Sequence, residues 1–506
     1  MLPEIKKSSI VINEAVYEGS CQSVCQTDII VPDSMPDALK VLQAEGRAIT
    51  EGVTVTSGKV SVRGKVVYNL LYVPDNAKGV KSISGEMPFT CSENVKDAKE
   101  GMMVSSQSEV THMEIQLLNS RKISLKAITE SDFSLAGKRE IQYVSEVKGE
   151  DVQTREKTMQ GENTTVFTQG FFNISNSMPV PSGGETLLKL DAEITSRDIK
   201  VISNKVVAKG EITVFALFSD SEDRPLCEKT VIPFTEIQSA DGINEKMSYD
   251  IKFFVGNTSG SIADTEKGRE VKFDVNIKIQ ITAGEKVSFT APCDIYGTKC
   301  CITPTTGNIS LKNKGMPYSS KVEIREIVTL ADDMPEISKI YKLSMKPHIN
   351  SCKAEKGNIK TEGSAICTLT YISDKEDSGV QTAVFEIPFS NISGESVEEG
   401  CKVMVKSVEG EKADCSISGR NIELRGNINL ITMTEKEEKV SVVTDISATE
   451  EEEKDIPVVV LYFVQKGDDI WNIAKRYHSK ISDIEQINKI DGDNIKEGMM
   501  LLIPKK

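Results

Sequence analysis

Histidine is almost absent: His112, His348 and His478 are the only three in 506 residues. They fall in three separate segments, so neighbours in sequence assemble neither a histidine metal set nor a catalytic triad. Also missing are the phosphate-cradling G-x-x-x-x-G-K-[ST] loop, the G-x-S-x-G nucleophile elbow and the H-E-x-x-H zinc helix. Lysine and arginine (61) are outnumbered by aspartate and glutamate (76), leaving a formal net charge of -15. That balance removes the basic face which nucleic acid or an anionic lipid surface needs as a partner. No stretch approaches the roughly eighteen apolar residues of a membrane-spanning helix, so no transmembrane segment is expected. Met1 to Ser20 carries Lys6 and Lys7 without an apolar core behind them, and Asn13, Glu14 and Glu18 interrupt the residues after the two lysines. A secretory signal is therefore not expected.

The eleven cysteines are an odd number, scattered from Cys21 to Cys415 without a tight framework. Reduced thiols in a cytosol fit this better than a secreted disulfide scaffold. Cys21 with Cys25, and Cys300 with Cys301, are closely spaced but lack the further Cys or His partners of a metal site. They read as buried or inert thiols. Carboxylates are abundant, but no pair is singled out by repeated position, and the acidic residues read as solvated faces. No catalytic residue, metal site or cofactor is assigned.

What is present is a repeat. Gly64, Gly210 and Gly363 occupy the same place in three similar segments. A Met-Pro pair precedes each: Met35-Pro36, Met178-Pro179 and Met334-Pro335, at offsets of 29, 32 and 29 positions. A Pro-Phe pair comes after each: Pro88-Phe89, Pro233-Phe234 and Pro388-Phe389, at offsets of 24, 23 and 25. Arg121, Arg269 and Arg420 each then open a new alternating run. Around the first glycine, Val60, Val62, Val66, Tyr68, Leu70 and Tyr72 share one face at a period of two. Val206 to Phe218 and Ile359 to Tyr371 do the same, as strands burying one side do. A glycine in mid-strand marks a bulge or a close backbone approach. The chain thus reads as mainly β, with three antiparallel β-sandwich-like domains at 1–150, 151–310 and 311–446.

Residues 447–457 hold the run Glu450-Glu451-Glu452-Glu453-Lys454-Asp455 and read as an acidic linker. Beyond it the period changes. A short apolar strand, Leu461 to Val464, leads through Gly467-Asp468-Asp469 into a helix carrying Ile470, Ile473, Ala474 and Tyr477. An Asp in that turn is placed to cap the helix. Ser482-Asp483-Ile484-Glu485 has the form of a capping box for a second helix, with Ile484 and Ile487 on its inner face. Met500 to Ile503 is a last strand. Residues 458–506 are therefore a small α+β unit of order strand, helix, helix, strand.

This unit resembles the LysM family. The carrying residues are Tyr462-Phe463-Val464-Gln465-Lys466-Gly467-Asp468-Asp469-Ile470-Trp471-Asn472-Ile473-Ala474, then Asn488, then Gly498-Met499-Met500-Leu501-Leu502-Ile503-Pro504. The resemblance implies a ligand groove between two loops, which in relatives takes N-acetylglucosamine chains of peptidoglycan or chitin. Carried over, Gly467, Asp468, Asp469 and Ile470 form one side, and Asn488, Ile490, Asp491 and Asn494 the other. Ile470 is expected at the rim and Ile473 in the core. Asp469 departs from the family's usual Thr or Ser, and Trp471, the single tryptophan, reads as core or rim.

Repeated β-domains followed by one LysM unit resemble the SipL-type group of clostridial spore morphogenetic proteins. The resemblance implies a non-enzymatic scaffold in the mother-cell cytoplasm at the forespore surface. Its LysM domain would dock on the coat's basement-layer ATPase during spore coat assembly. The alternative is a cell-wall protein that binds peptidoglycan through the same groove.

Overall fold

The computed structural model describes residues 3–75, 79–149, 151–266, 268–373, 379–394, 397–399, 401–450, 459–492 and 494–504. The first repeat comprises β1 (Glu4–Ile30), β2 (Ala38–Thr56), β3 (Lys59–Pro74), β4 (Lys81–Asn94), β5 (Met103–Asn119) and β6 (Lys122–Lys148). They form two antiparallel sheets, ordered β1-β6-β5 and β2-β3-β4. The alternating runs read from sequence are the central strands β3 and β6, whose apolar faces meet: Val60, Val62, Val66 and Leu70 against Ile123, Leu125 and Ala127. The second repeat has the same plan with β7 (Val152–Pro179), β8 (Thr186–Ile202), β9 (Lys205–Ser219), β10 (Pro225–Ser239), β11 (Ser248–Thr265) and β12 (Gly268–Gly297). The third has β13 (Cys300–Lys314), β14 (Tyr318–Thr329), β15 (Ile337–Glu355), β16 (Asn358–Ser373), β17 (Val380–Ser393), β18 (Lys402–Ser418) and β19 (Asn421–Glu450). Here β13 and β14 together pair along β19, taking the place of the single strands β1 and β7. No helix among the described residues is long and apolar enough to cross a membrane.

The repeated landmarks are structural. Gly64, Gly210 and Gly363 are paired in register with Phe89, Phe234 and Phe389. Each ring lies over its glycine: a Cβ on Gly64 would stand 2.7 Å from the Phe89 ring and would overlap the carbonyl oxygen of Ile49. The same holds at Gly210 (Phe234, Ser196) and Gly363 (Phe389, His348). In all three repeats that carbonyl belongs to a neighbouring strand bulged close by, after Thr50, Ile194 and Ile349, the second bulge lying on the other side of the glycine's partner. The three arginines clamp the loop that leads into the second sheet. Arg121 donates to the Val31 carbonyl (2.9 Å), Arg269 to that of Gly184 (2.9 Å) and Arg420 to that of Leu330 (3.3 Å).

One landmark needs correction. Val31, Val180 and Leu330 are equivalent, since each gives its N–H to the carbonyl of Arg121, Arg269 or Arg420. Met178-Pro179 therefore precedes the equivalent point, at the end of β7. The place of Met35-Pro36 and Met334-Pro335 is held in the second repeat by Gly184-Glu185. The odd offset of 32 was the trace of this.

Beyond each sandwich the first and last strands of the repeat continue as a two-stranded arm: the distal halves of β1/β6, β7/β12 and β13/β19. The three arms pack on one another around Ile12, Ile141, Met159, Phe289, Ile309, Leu311 and Val442. Further out, Val144, Ile295 and Val443 form a second small core. The repeats follow one another at the arm ends, where β6 ends at Lys148 and β7 begins at Val152, and where β12 ends at Gly297 and β13 begins at Cys300. The expected boundary after residue 310 thus falls inside β13, which had no break in pattern to betray its start. Likewise 447–449 continue β19, paired with 301–303, rather than opening a linker. The acidic residues 451–457 lie outside the described residues.

At the other end the three sandwiches meet. Leu71, Val80, Leu188, Phe215, Leu217, Tyr341, Ile372 and Val380 form a core drawn from all three, beside an axial cavity of about 1860 Å³. A charged cluster sits there. Lys189 pairs with Glu45 (2.5 Å) and Asp191 (3.0 Å), Lys342 with Glu193 (2.9 Å), and the Tyr341 hydroxyl donates to Asp191 (3.3 Å). Burial opposes charge on Asp191, but Lys189, Lys342 and Arg47 outweigh it and hold its carboxyl below the usual range. These acids are not the solvated faces expected.

Cys21 on β1 and Cys91 on β4 form a disulfide across the first sandwich. The expectation of reduced thiols fails at this pair, because residues 70 apart in sequence are brought to a Cα separation of 5.8 Å by facing sheets. Cys25 is buried and its thiol pKa is raised by that burial.

Candidate functional site

The final unit is β20 (Val459–Phe463), α1 (Ile470–Tyr477), α2 (Ile481–Asn488) and β21 (Met500–Pro504), with β20 and β21 antiparallel. Its core is Val464, Ile470, Trp471, Ile473, Ala474, Ile484, Leu501 and Ile503. Asp469 caps α1, its Oδ1 accepting from the Asn472 N–H at 2.6 Å. The expected capping box is not formed. Lys480 is the N-cap of α2 and its side chain makes no capping bond, so Ser482 already lies inside the helix. Glu485 faces the other end, accepting from the Gly492 N–H at 3.1 Å. Ile487 is 42% exposed, not inward as its spacing suggested.

The eight expected groove residues have unlike surroundings. Gly467 is exposed in a left-handed turn (φ +89) with open space at its Cα. Asp468 accepts from the Tyr462 hydroxyl (2.6 Å) and the Gln465 N–H (2.8 Å), and these bonds lower its pKa. Ile470 is 5% exposed and belongs to the core, so it is no rim residue. A helix that starts with its first side chain turned inward leaves nothing of it outside. Asn488 ties α2 to β21: its amide donates to Ile484 (2.8 Å) and Leu502 (2.6 Å) carbonyls and accepts from the Leu502 N–H (2.8 Å). Ile490 packs against the core. Asp491 and Asn494 are exposed. Of the expected groove side chains, only Asp491 and Asn494 are exposed, with Asp468 and Asp469 half-buried.

Sequence reasoning missed the surface on which the unit sits. Trp471 is packed edge-on against Tyr296 of β12, with ring centroids 5.0 Å apart, and its Nε1 donates to Asp294 at 2.8 Å. Lys475 also donates to Asp294 (2.6 Å). Burial opposes charge on Asp294, but those two donors win and its pKa is lowered. The Tyr296 hydroxyl donates to the Ser479 carbonyl (2.8 Å), and His478 Nδ1 reaches the Gly297 carbonyl (2.9 Å). Arg155 of β7 pairs with Asp469 at 3.3 Å. The departure at Asp469 thus has a double use, capping α1 and holding Arg155. Its odd identity was the one available signal; nothing in sequence pointed to Asp294 or Tyr296. Among the described residues no cluster of His, Cys, Asp or Glu could hold a metal ion.

Three sandwiches joined at both ends and capped by a small α+β recognition unit define a multidomain binding protein. The family model described as "SipL, SPOCS domain" matches 37–118, 185–263 and 336–418, and that described as "LysM domain" matches 462–504. The chain belongs to the SipL type, with three SPOCS domains and a C-terminal LysM domain. Each SPOCS match covers the strands from β2, β8 or β15 onward and leaves out the outer strands that make the arms. Neither curated proteins nor solved structures give a match. Both domain families are non-catalytic, and together they mark a sporulation-related protein carrying a module of peptidoglycan-binding type.

Proposed function

We propose that the protein is a non-enzymatic adaptor of spore morphogenesis. It acts in the mother-cell cytoplasm at the forespore surface, where its LysM groove docks on the coat's basement-layer ATPase. The observation that carries this reading is the commitment of Asp469. Sugar-binding relatives place a small hydroxyl at that rim position; here a carboxylate stands there, bonded to α1 and to Arg155. The LysM sheet also exposes Val459, Leu461, Phe463 and Met500, apolar surface of the kind a protein partner buries. A chain with three fused sandwiches suits an adaptor, since it holds several surfaces in fixed relation.

A second reading keeps peptidoglycan as the ligand. It is favoured by the exposed polar side chains of Asp491 and Asn494 and the exposed turn at Gly467, groups suited to N-acetylglucosamine. The two readings part in one experiment. The full chain is used to capture proteins from sporulating cells and, in parallel, is co-sedimented with purified sacculi. Capture of the coat ATPase, lost in an Asp491→Ala/Asn494→Ala variant, without sedimentation supports the adaptor. Sedimentation with no ATPase captured selects the cell-wall reading.

A further inference from the structure

The groove rim is not built by the LysM domain alone. Arg155 and Asp294 are a cross-strand pair of the second arm, directly opposite in register. Asp294 holds Trp471 and Lys475 of α1, while Arg155 reaches Asp469, the N-cap of the same helix. One pair of arm residues therefore seats the domain and touches its groove.

The charges at this rim make the arginine more than a fastener. Asp468 is committed to Tyr462 and Gln465, and Asp469 to the Asn472 N–H and Arg155. Asp491 is exposed as well. These carboxylates bias the neighbourhood against an acidic ligand, opposed by Arg476, which lies near enough to Asp468 to help lower its pKa. Arg155 reverses that locally, and its side chain is 48% exposed while giving a single N–H to Asp469. A guanidinium has five N–H donors in a planar fork, suited to a second carboxylate in bidentate geometry.

We infer that Arg155 is a ligand-reading residue of a composite site shared by the second arm and the LysM groove. The group it reads is an acidic side chain on the partner protein. The inference rests on the groove and on the protein partner proposed for it, and the test keeps the two apart.

The test uses the full chain, the purified coat ATPase as probe, and two readouts. One is binding affinity at low and high salt. The other is the fluorescence of Trp471, the single tryptophan, which sits in the docking contact and reports whether the domain is seated. Arg155→Ala is expected to weaken binding about tenfold and to flatten its salt dependence, with Arg155→Lys intermediate and Trp471 emission unchanged. Wild-type affinity in Arg155→Ala, with binding lost in Asp491→Ala/Asn494→Ala, overturns the composite site and leaves the groove standing. A red shift of Trp471 in Arg155→Ala overturns it too, because the residue would then act through docking. Unaltered binding in both variants removes the groove reading and this inference with it.

Discussion

At one place in every repeat a glycine lies under a phenylalanine; at another, in every repeat, a bulge faces the other two repeats and is followed by residues that differ. The glycine pairs are Gly64–Phe89, Gly210–Phe234 and Gly363–Phe389. The bulges fall at Leu42, Leu188 and Tyr341, each skipped in the pairing of its strand with the next. The positions just after them hold Gln43, Lys189 and Lys342, and two further on Glu45, Asp191 and Ser344. Residues inside each sandwich thus repeat, because each sandwich solves the same packing problem. Residues between sandwiches diverge, because every junction has different neighbours. Three identical bulges would assemble in any order, whereas acids on the first two repeats and lysines on the last two pair in one arrangement.

Breaking the repeated element should have the largest effect. Gly210→Ala puts a methyl 2.9 Å from the Phe234 ring and into the Ser196 carbonyl. A loss of about 3–5 kcal/mol is expected for the second sandwich, read as hydrogen exchange rising across β8, β9 and β10. Gly52→Ala is the control. Its nearest neighbour would be the Arg63 guanidinium at 3.8 Å, so exchange should stay near wild type. If the two substitutions behave alike, the glycine–phenylalanine contact is not what holds the sheet.

The divergent element comes next. Asp191→Ala leaves Lys189 (5% exposed) and Lys342 (13% exposed) with one close carboxylate fewer. Removing one partner of a buried pair costs about 3 kcal/mol, somewhat less here because Glu45 and Glu193 remain. The loss should appear at the junction, as faster exchange in β8 and β15 with the Gly210 region still protected. Uniform destabilisation of all strands would assign the cluster to folding rather than to joining.

The same contrast explains which features are legible in the sequence. Alternation at Val60 to Tyr72 and Ile422 to Ile428 identifies buried faces because a strand's period is local, and the LysM pattern is likewise contiguous. Nothing local reveals that Lys189 meets Glu45, or that Cys21 meets Cys91, since these depend on how separate sheets face each other. The arms were hidden for a related reason: they continue the alternation of the sandwich strands without a break. At the LysM groove the motif located the loops but could not distinguish outward side chains from inward ones. Ile470 and Asn488 match the motif because they build the domain.

The docking of the LysM domain sharpens the comparison at its smallest energy, because only a handful of contacts set it. Asp294→Ala leaves the largely buried Trp471 N–H without its acceptor and takes a carboxylate from Lys475. A cost of about 1–3 kcal/mol is expected, enough to shift a seated domain partly off the arm. Trp471 emission should move to the red and acrylamide quenching should rise, while the sandwiches keep their exchange protection. Acid should do the same to the wild type. The pKa of Asp294 is lowered from 3.8 by docking, so its contribution is complete above that value and is lost as pH falls through the depressed one. A Trp471 red shift that appears only below about pH 4 in the wild type, and is already present at neutral pH in Asp294→Ala, would place the contact in the docking equilibrium. A tryptophan signal indifferent to both changes would mean that the contacts of Tyr296, His478 and Arg155 seat the domain without Asp294.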